Sequence, residues 1–220
     1  MTRLHPLIFG ATGAVGGLLA GLLVERGDEV TALVRRPEQQ QSLAARGIRS
    51  ILGDLAALTV DDLVGAFAGR DVIVYSAGSN GGARDVTTAI DGEGVRRASE
   101  AARIAGVRRF VLVSVMPESW RERDLEDAVE YYFAVKKRAE VALTRADLDW
   151  VILRPSLLTD EPGRGRICLG PAQLHDSITR HDVAATLAEI VHQPGIRRRI
   201  LEVNAGRTPI AEAVLGHVPD

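Results

Sequence analysis

Gly10-Ala11-Thr12-Gly13-Ala14-Val15-Gly16 joins a short apolar run, Leu7-Ile8-Phe9, to a longer helical one, Ala14 to Arg26. Glycines at every third position of a strand-to-helix junction let a pyrophosphate reach the backbone amides of the helix N-terminus, where a Cβ would block it. Gly10 allows the turn, Gly13 the close approach, and Gly16 the packing of helix on strand. The same triplet also serves tight helix–sheet packing alone, so its meaning rests on its surroundings.

Outward from the loop, short apolar runs alternate with longer amphipathic ones. Strands are expected at Glu29 to Val34, Ile48 to Leu52, Asp71 to Ser76, Arg109 to Val115 and Trp150 to Leu153. Helices are expected at Glu38 to Arg46, Val60 to Ala68, Val86 to Ala105 and Asp124 to Arg145. The strands are continuously apolar, as in a parallel sheet covered on both faces. Such a βα series predicts an α/β fold, a doubly wound parallel sheet of Rossmann type. After Pro155 the rhythm breaks: 156–177 is rich in Gly and Pro, followed by a helix at 181–193 and a strand at 199–204. The expectation is one NAD(P)-binding domain over 1–220, with 156–220 partly forming a small substrate-side lobe.

The chain has 220 residues, 46% hydrophobic and 25% charged, with a net charge of −2. These values fit a soluble globular domain and supply no argument for nucleic acid or an anionic membrane. Leu7 to Val24 is uncharged and long enough to raise a membrane span. Its five glycines (Gly10, Gly13, Gly16, Gly17, Gly21) and the loop reading argue instead for a buried strand and helix. Cys168 is the single cysteine, which fits a reducing, cytoplasmic setting and the packing role usual for a lone thiol. His5, His175, His181, His192 and His217 show no metal-ligand spacing, so no metal is expected. Arg197-Arg198-Arg199 reads as a solvated turn.

The second strand ends Leu33-Val34-Arg35-Arg36-Pro37, about twenty residues beyond the loop, where an NAD site places a carboxylate on the ribose. Two guanidiniums there suit a 2′-phosphate, which favours NADP(H) over NAD(H); a solvated basic turn is the alternative. Asp54, in Gly53-Asp54-Leu55, suits either the adenine amino group or the cap of its own turn. Ser76-Ala77-Gly78-Ser79 would let the chain pass beneath ribose and nicotinamide.

Tyr132 and Lys136 stand four apart on an expected helix, hence on one face. An ammonium stabilises phenolate and is expected to bring the tyrosine down toward neutral pH, while Ser114 would hold a substrate oxygen. Tyr131 and Lys137 adjoin the pair and leave other pairings open. Trp120 suits either the substrate pocket or a packed interface.

Gly10 to Gly16, Arg35-Arg36-Pro37, Gly53-Asp54-Leu55, Ser76-Ala77-Gly78 and Arg108 through Ser114 resemble the atypical short-chain dehydrogenase/reductases. So do Lys136 to Glu140, Asp149 to Pro155 and Thr179 to Ala184. The similarity is to the small NAD(P)H-binding subgroup with flavin and biliverdin reductase-like proteins. It implies that Gly10, Thr12, Gly13, Ala14, Val15 and Gly16 bind pyrophosphate. It places Arg35 on the 2′-phosphate, Asp54 and Leu55 on adenine, Ala77 and Gly78 on ribose, and Pro155 and Ser156 beside nicotinamide. Ser114, Tyr132 and Lys136 match its active-site positions. The eighteen positions from Ser114 to Tyr132, with Pro117 and Trp120 between, exceed the family's regular spacing.

The expected function is an NADP(H)-dependent oxidoreductase moving hydride to or from a small carbonyl, quinone or flavin-like substrate. A redox-sensing regulatory protein without turnover is the alternative, and sugar-nucleotide epimerase or dehydratase chemistry is less favoured. Substrate identity, direction and oligomeric state are not legible.

Overall fold

A computed structural model describes residues 2–116 and 125–219, and Trp120 and Pro117 lie outside them. Leu7 to Phe9 has no polar side chain to satisfy, and it becomes the buried centre of a sheet. This is β1 (Pro6–Phe9), flanked by β2 (Thr31–Val34) and β4 (Val72–Tyr75), both parallel to it. β3 (Arg49–Leu52) pairs outside β2, and β5 (Arg109–Val113) and β6 (Asp149–Pro155) follow β4, all parallel. The order β3-β2-β1-β4-β5-β6 reverses between β1 and β4, the point at which a doubly wound sheet opens a crevice at its carboxyl edge.

The sheet alternates sides along each strand. Ile8, Val34, Val74, Val111 and Val151 face α1 (Ala14–Glu25) and α7 (Arg180–Val191). Leu7, Phe9, Tyr75, Phe110 and Ile152 face α3 (Val60–Phe67), α5 (Val95–Ile104) and α6 (Asp127–Thr144). Both faces are covered, which is why the strands carry no polar alternation. The uncharged run from Leu7 to Val24 is thus a strand, a loop and a helix. Among the described residues no helix is long and apolar enough to cross a membrane.

Gly17 and Gly21 are not part of the phosphate-type loop, and they have another use. Arg46, just beyond α2 (Pro37–Ala44), lies across α1, donating from Nη2 to the Gly17 carbonyl at 2.7 Å; a Cβ on Gly21 would stand 3.3 Å from the same nitrogen.

Two stretches differ from the sequence expectation. The helix expected at 86–105 is broken: α4 (Arg84–Thr87) runs into a π turn at Thr88–Gly94 before α5 begins. A Cβ on Gly94 would collide with the Tyr75 hydroxyl, which donates to the Ile90 carbonyl at 2.5 Å. That contact and the widened turn bring Asp91 inward. Beyond Pro155, short strands appear where glycine and proline obscured them. β7 (Leu157–Thr159) and β9 (Ser177–Thr179) pair in parallel as a separate two-stranded sheet. β8 (Arg166–Gly170), β10 (Arg199–Ala205) and β11 (Thr208–Pro209) extend the main sheet beside β6, and α8 (Ile210–Leu215) packs on α7.

Two arginines, Arg109 buried and Arg154 largely so, tie the edges together. Arg109 donates to the carbonyls of Ile196, Ile190 and Gln193, closing the C-terminal end of α7; burial pulls its guanidinium down to about 10. Arg154 forms a two-point clamp on Glu140, with bonds of 2.9 and 2.6 Å, and reaches Glu202 at 3.3 Å, locking α6 and β10 to β6. Burial opposes that charge, but the two carboxylates outweigh it and hold the guanidinium above its ordinary value.

Candidate active site

The glycine loop leaves β1 and meets the start of α1 without a side-chain cap, and the first turn of α1 carries no acidic residue. Gly13 donates its own N–H to the Gly10 carbonyl at 2.9 Å, and the first intrahelical bond runs from Gly17 to Gly13. The amides of Ala14, Val15 and Gly16 therefore stand at an uncapped, electropositive helix end that fits an anion. Gly10 has φ +84°, and a Cβ there would lie 2.6 Å from the Ser76 carbonyl oxygen; a Cβ on Gly16 would collide with the Gly10 carbonyl. Both glycines are sterically required. Their close approaches are to the chain itself, and the cradle they shape is open on the side of the cleft.

That cleft, about 610 Å³, follows the carboxyl edge of the sheet across the switch point. Gly10, Thr12, Gly13, Ala14, Val15 and Gly16 line its floor, and Arg35, Asp54 and Leu55 line one end. Ala77, Gly78, Ser114, Tyr132, Lys136, Pro155 and Ser156 line the other. Segments separated by more than a hundred residues are thus brought together. Arg36 is the exception. It is exposed at the start of α2, its side chain is not part of the wall, and it does not join Arg35 as expected, because Pro37 turns the chain into the helix there.

Gln39 takes the place the second arginine was expected to fill. Its side-chain oxygen accepts the N–H groups of Arg35 and Arg36 at 3.1 and 3.0 Å, and its amide nitrogen donates to Thr12 Oγ1 at 3.3 Å. It links the end of β2 to the glycine loop. Asp54 performs its turn role, accepting the Ala56 N–H at 3.0 Å on Oδ1, while the residue still lines the cleft.

At the other end, Ser114 follows β5, its N–H held by the Leu153 carbonyl at 2.8 Å. Its side chain is 3% exposed, and Oγ has no partner among the described residues. Lys136 Nζ lies 3.2 Å from Asp91 Oδ1 and donates to the Val113 carbonyl at 3.2 Å, and the Tyr132 ring centroid is 5.6 Å away. Asp91 is fully buried and also accepts the Ser79 N–H at 2.9 Å. A Cβ on Gly78 would approach Asp91 to 3.2 Å, so the glycine lets the chain pass directly over the pair.

This pair corrects the expected tuning of Tyr132. Burial pushes the phenol up; Lys136 pulls it down, but Asp91 opposes that pull, and the result stands above the ordinary tyrosine value. Lys136 is itself pushed down by burial and more than restored by Tyr132 and Asp91, so it remains a firmly held cation. A lysine with its own buried carboxylate has less charge to spend on a neighbour.

Sequence reasoning missed Asp91, Gln39 and the cleft-lining role of Arg180. Asp91 carried a signal: it stands four positions before Val95 and seven before Ala98, a carboxylate on the apolar stripe of its helix. Gln39 carried none, since only the folded turn places it beside Thr12.

The comparisons agree with this geometry. Residues 10–194 match a family described as NAD(P)H-binding. The uncharacterized sugar epimerase YhfK of Bacillus subtilis (strain 168) is 34% identical over 209 residues, 94% of this chain and 97% of YhfK. Among solved structures, the oxidoreductase ylbE from Lactococcus lactis has a TM-score of 0.85 and 27% identity, covering 99% of each chain. ChuY, an anaerobillin reductase from Escherichia coli O157:H7, has a TM-score of 0.76 and 26% identity over 91% of this chain and 97% of its own. With an uncapped helix end at the switch point of a Rossmann-like sheet, this chain belongs to the NAD(P)H-binding family.

Proposed function

We propose that the protein is an NADP(H)-dependent oxidoreductase acting on a small carbonyl, quinone or flavin-like substrate. The observation that carries this reading is Ser114: a hydroxyl buried in the wall of the cleft that Tyr132 and Lys136 also line, with no partner among the described residues, is an expensive feature unless a ligand oxygen completes it.

The nicotinamide cofactor supplies or accepts the hydride when bound. The amides of Thr12, Ala14, Val15 and Gly16, with Gly10 and Gly13 between, hold its pyrophosphate. Arg35 binds the 2′-phosphate without help from Arg36, and Gln39 keeps the Arg35 backbone in register with the loop. Asp54 and Leu55 bound the adenine, Ala77 and Gly78 the ribose, and Pro155 and Ser156 the nicotinamide side. Ser156 is buried and bonded to Asn204 at 3.0 Å, so that wall is firm. The residues after Pro155, with β7 and β9 nearest the cleft, form the substrate side of one NADP(H)-binding domain.

In reduction, Ser114 Oγ donates to the substrate oxygen and the Tyr132 hydroxyl delivers the proton. A phenol held above its ordinary value is protonated at neutral pH, the form needed for donation, although the same shift makes it a weaker acid. Lys136, fixed by Asp91, orients rather than ionises the tyrosine.

The raised value of Tyr132 favours the second reading, a redox-sensing protein without turnover, since a tyrosine pushed up by burial is a slow proton relay. The name carried by YhfK adds the sugar-epimerase reading, which requires Tyr132 to act as a base, the role its raised value suits least.

Titration with NADPH and NADH, followed by nicotinamide fluorescence and then a quinone, flavin and aldehyde panel, tests these readings. Tighter NADPH binding with acceptor-dependent oxidation is expected. Binding without oxidation of any acceptor favours the sensor, and no binding overturns the assignment.

A further inference from the structure

Among the described residues, two cations at this end of the cleft have very different partners. Lys136 lies 3.2 Å from Asp91, with side-chain exposures of 6% and 0% that keep the pair out of water. Arg180 also lines the cleft, at the first position of α7. Its partner is Asp160, at 2.8 Å, but the exposures there are 25% and 87%. An ion pair with one partner in water is weak, so a ligand anion can displace the carboxylate at little loss.

Arg180 is placed firmly despite this loose partner. Thr179 ends β9 and caps α7 through Oγ1, accepting the Asp182 N–H at 3.0 Å. Asp182 is buried and accepts the N–H groups of Arg164 and Gly165 at 3.0 and 2.8 Å, which pins the segment after Asp160 to the helix. The base of the arginine is therefore fixed while its guanidinium keeps an exchangeable partner. Three apolar side chains, Leu158, Val86 and Ile90, line the same cleft as Arg180.

We infer that the substrate is an amphipathic carboxylate: an apolar body against Leu158, Val86 and Ile90, and a carboxylate taken by Arg180 when it leaves Asp160. This rests on the oxidoreductase reading for the site and adds the substrate class. Arg suits the task because its planar fork meets a carboxylate at two points.

The test compares 4-methylbenzoate with its uncharged analogue 4-methylbenzamide by calorimetric titration of the NADPH-loaded protein. The carboxylate is expected to bind about 10-fold more tightly, the scale of one charge-assisted bond pair. Arg180→Gln removes that preference and leaves NADPH affinity unchanged. Asp160→Asn strengthens carboxylate binding severalfold by removing the competitor, an outcome that a merely structural arginine does not produce. Equal binding of the two probes, no carboxylate binding, or a preference that survives Arg180→Gln overturns the inference. So does a 10-fold loss of NADPH affinity in Arg180→Gln, which would assign the arginine to the cofactor. The NADPH titration that precedes the comparison separates the two readings. A protein that fails to bind NADPH overturns the cofactor assignment, and the carboxylate preference then stands or falls on the same comparison without nucleotide.

Discussion

The two ends of the cleft are built on different principles. The glycine loop spans seven consecutive residues and acts through backbone alone: a turn at φ +84°, a close crossing at Gly16, and amides left without a cap. The Ser114 end is drawn from five segments, around Gly78, Asp91, Ser114, Tyr132 to Lys136, and Pro155-Ser156, and is built from side chains buried with or without partners among the described residues. A backbone site tolerates no added atom. A side-chain site tolerates shape changes but not a broken pairing, because a buried charge left alone is far more costly than an exposed one.

The largest effect that sharpens this contrast is on turnover. Tyr132→Phe is expected to lower acceptor-dependent NADPH oxidation by about 10²–10⁴-fold while leaving NADPH affinity intact. The raised phenol also sets a sign for pH. Tyr132 loses its proton at a higher pH than an ordinary tyrosine, so wild-type reduction is expected to keep its proton donor to a correspondingly higher pH. A rate that falls between pH 7 and 9 with the titration of Tyr132 would contradict this.

Next is stability at the Ser114 end. Asp91→Leu strands Lys136 and is expected to destabilise by about 3–5 kcal/mol in denaturant unfolding. Adding Lys136→Met recovers most of that loss, whereas additive losses would show that the two groups are not coupled. At the glycine loop, Gly16→Ala drives a methyl into the Gly10 carbonyl and is expected to cost about 3 kcal/mol, with NADPH binding lost alongside. No second substitution on the same loop rescues it, since the obstacle is backbone.

The smallest effect divides the paired arginines. Arg35→Ala is expected to weaken NADPH by about 10–100-fold relative to NADH, and Arg36→Ala to leave the ratio within about 2-fold, by fluorescence titration. Equal losses from the two would restore the two-arginine reading.

Legibility follows the same division. The glycine loop, the alternation of apolar strands and helices, and Arg35 at the end of β2 are properties of contiguous sequence, where period and spacing report geometry directly. Arg36 looked equivalent to its neighbour because the sequence does not show which of two adjacent side chains faces the cleft once Pro37 begins a helix. Tyr132 and Lys136 were visible as a pair four apart, but the sign of the tyrosine's shift was not. That sign comes first from burial of the phenol and then from Asp91, forty-one positions before Tyr132, which offsets part of the pull of Lys136.

Sequence alone therefore determined the parallel sheet and the glycine-rich helix end at its switch point. These arise from local backbone preference and the burial of apolar runs. Tertiary structure decided which charges are neutralised and where: Asp91 on Lys136 in the buried interior, and Asp160 on Arg180 at the surface. The physical reason is that the strength of an ion pair depends on how far water is excluded from it, and burial is a property of the assembled fold.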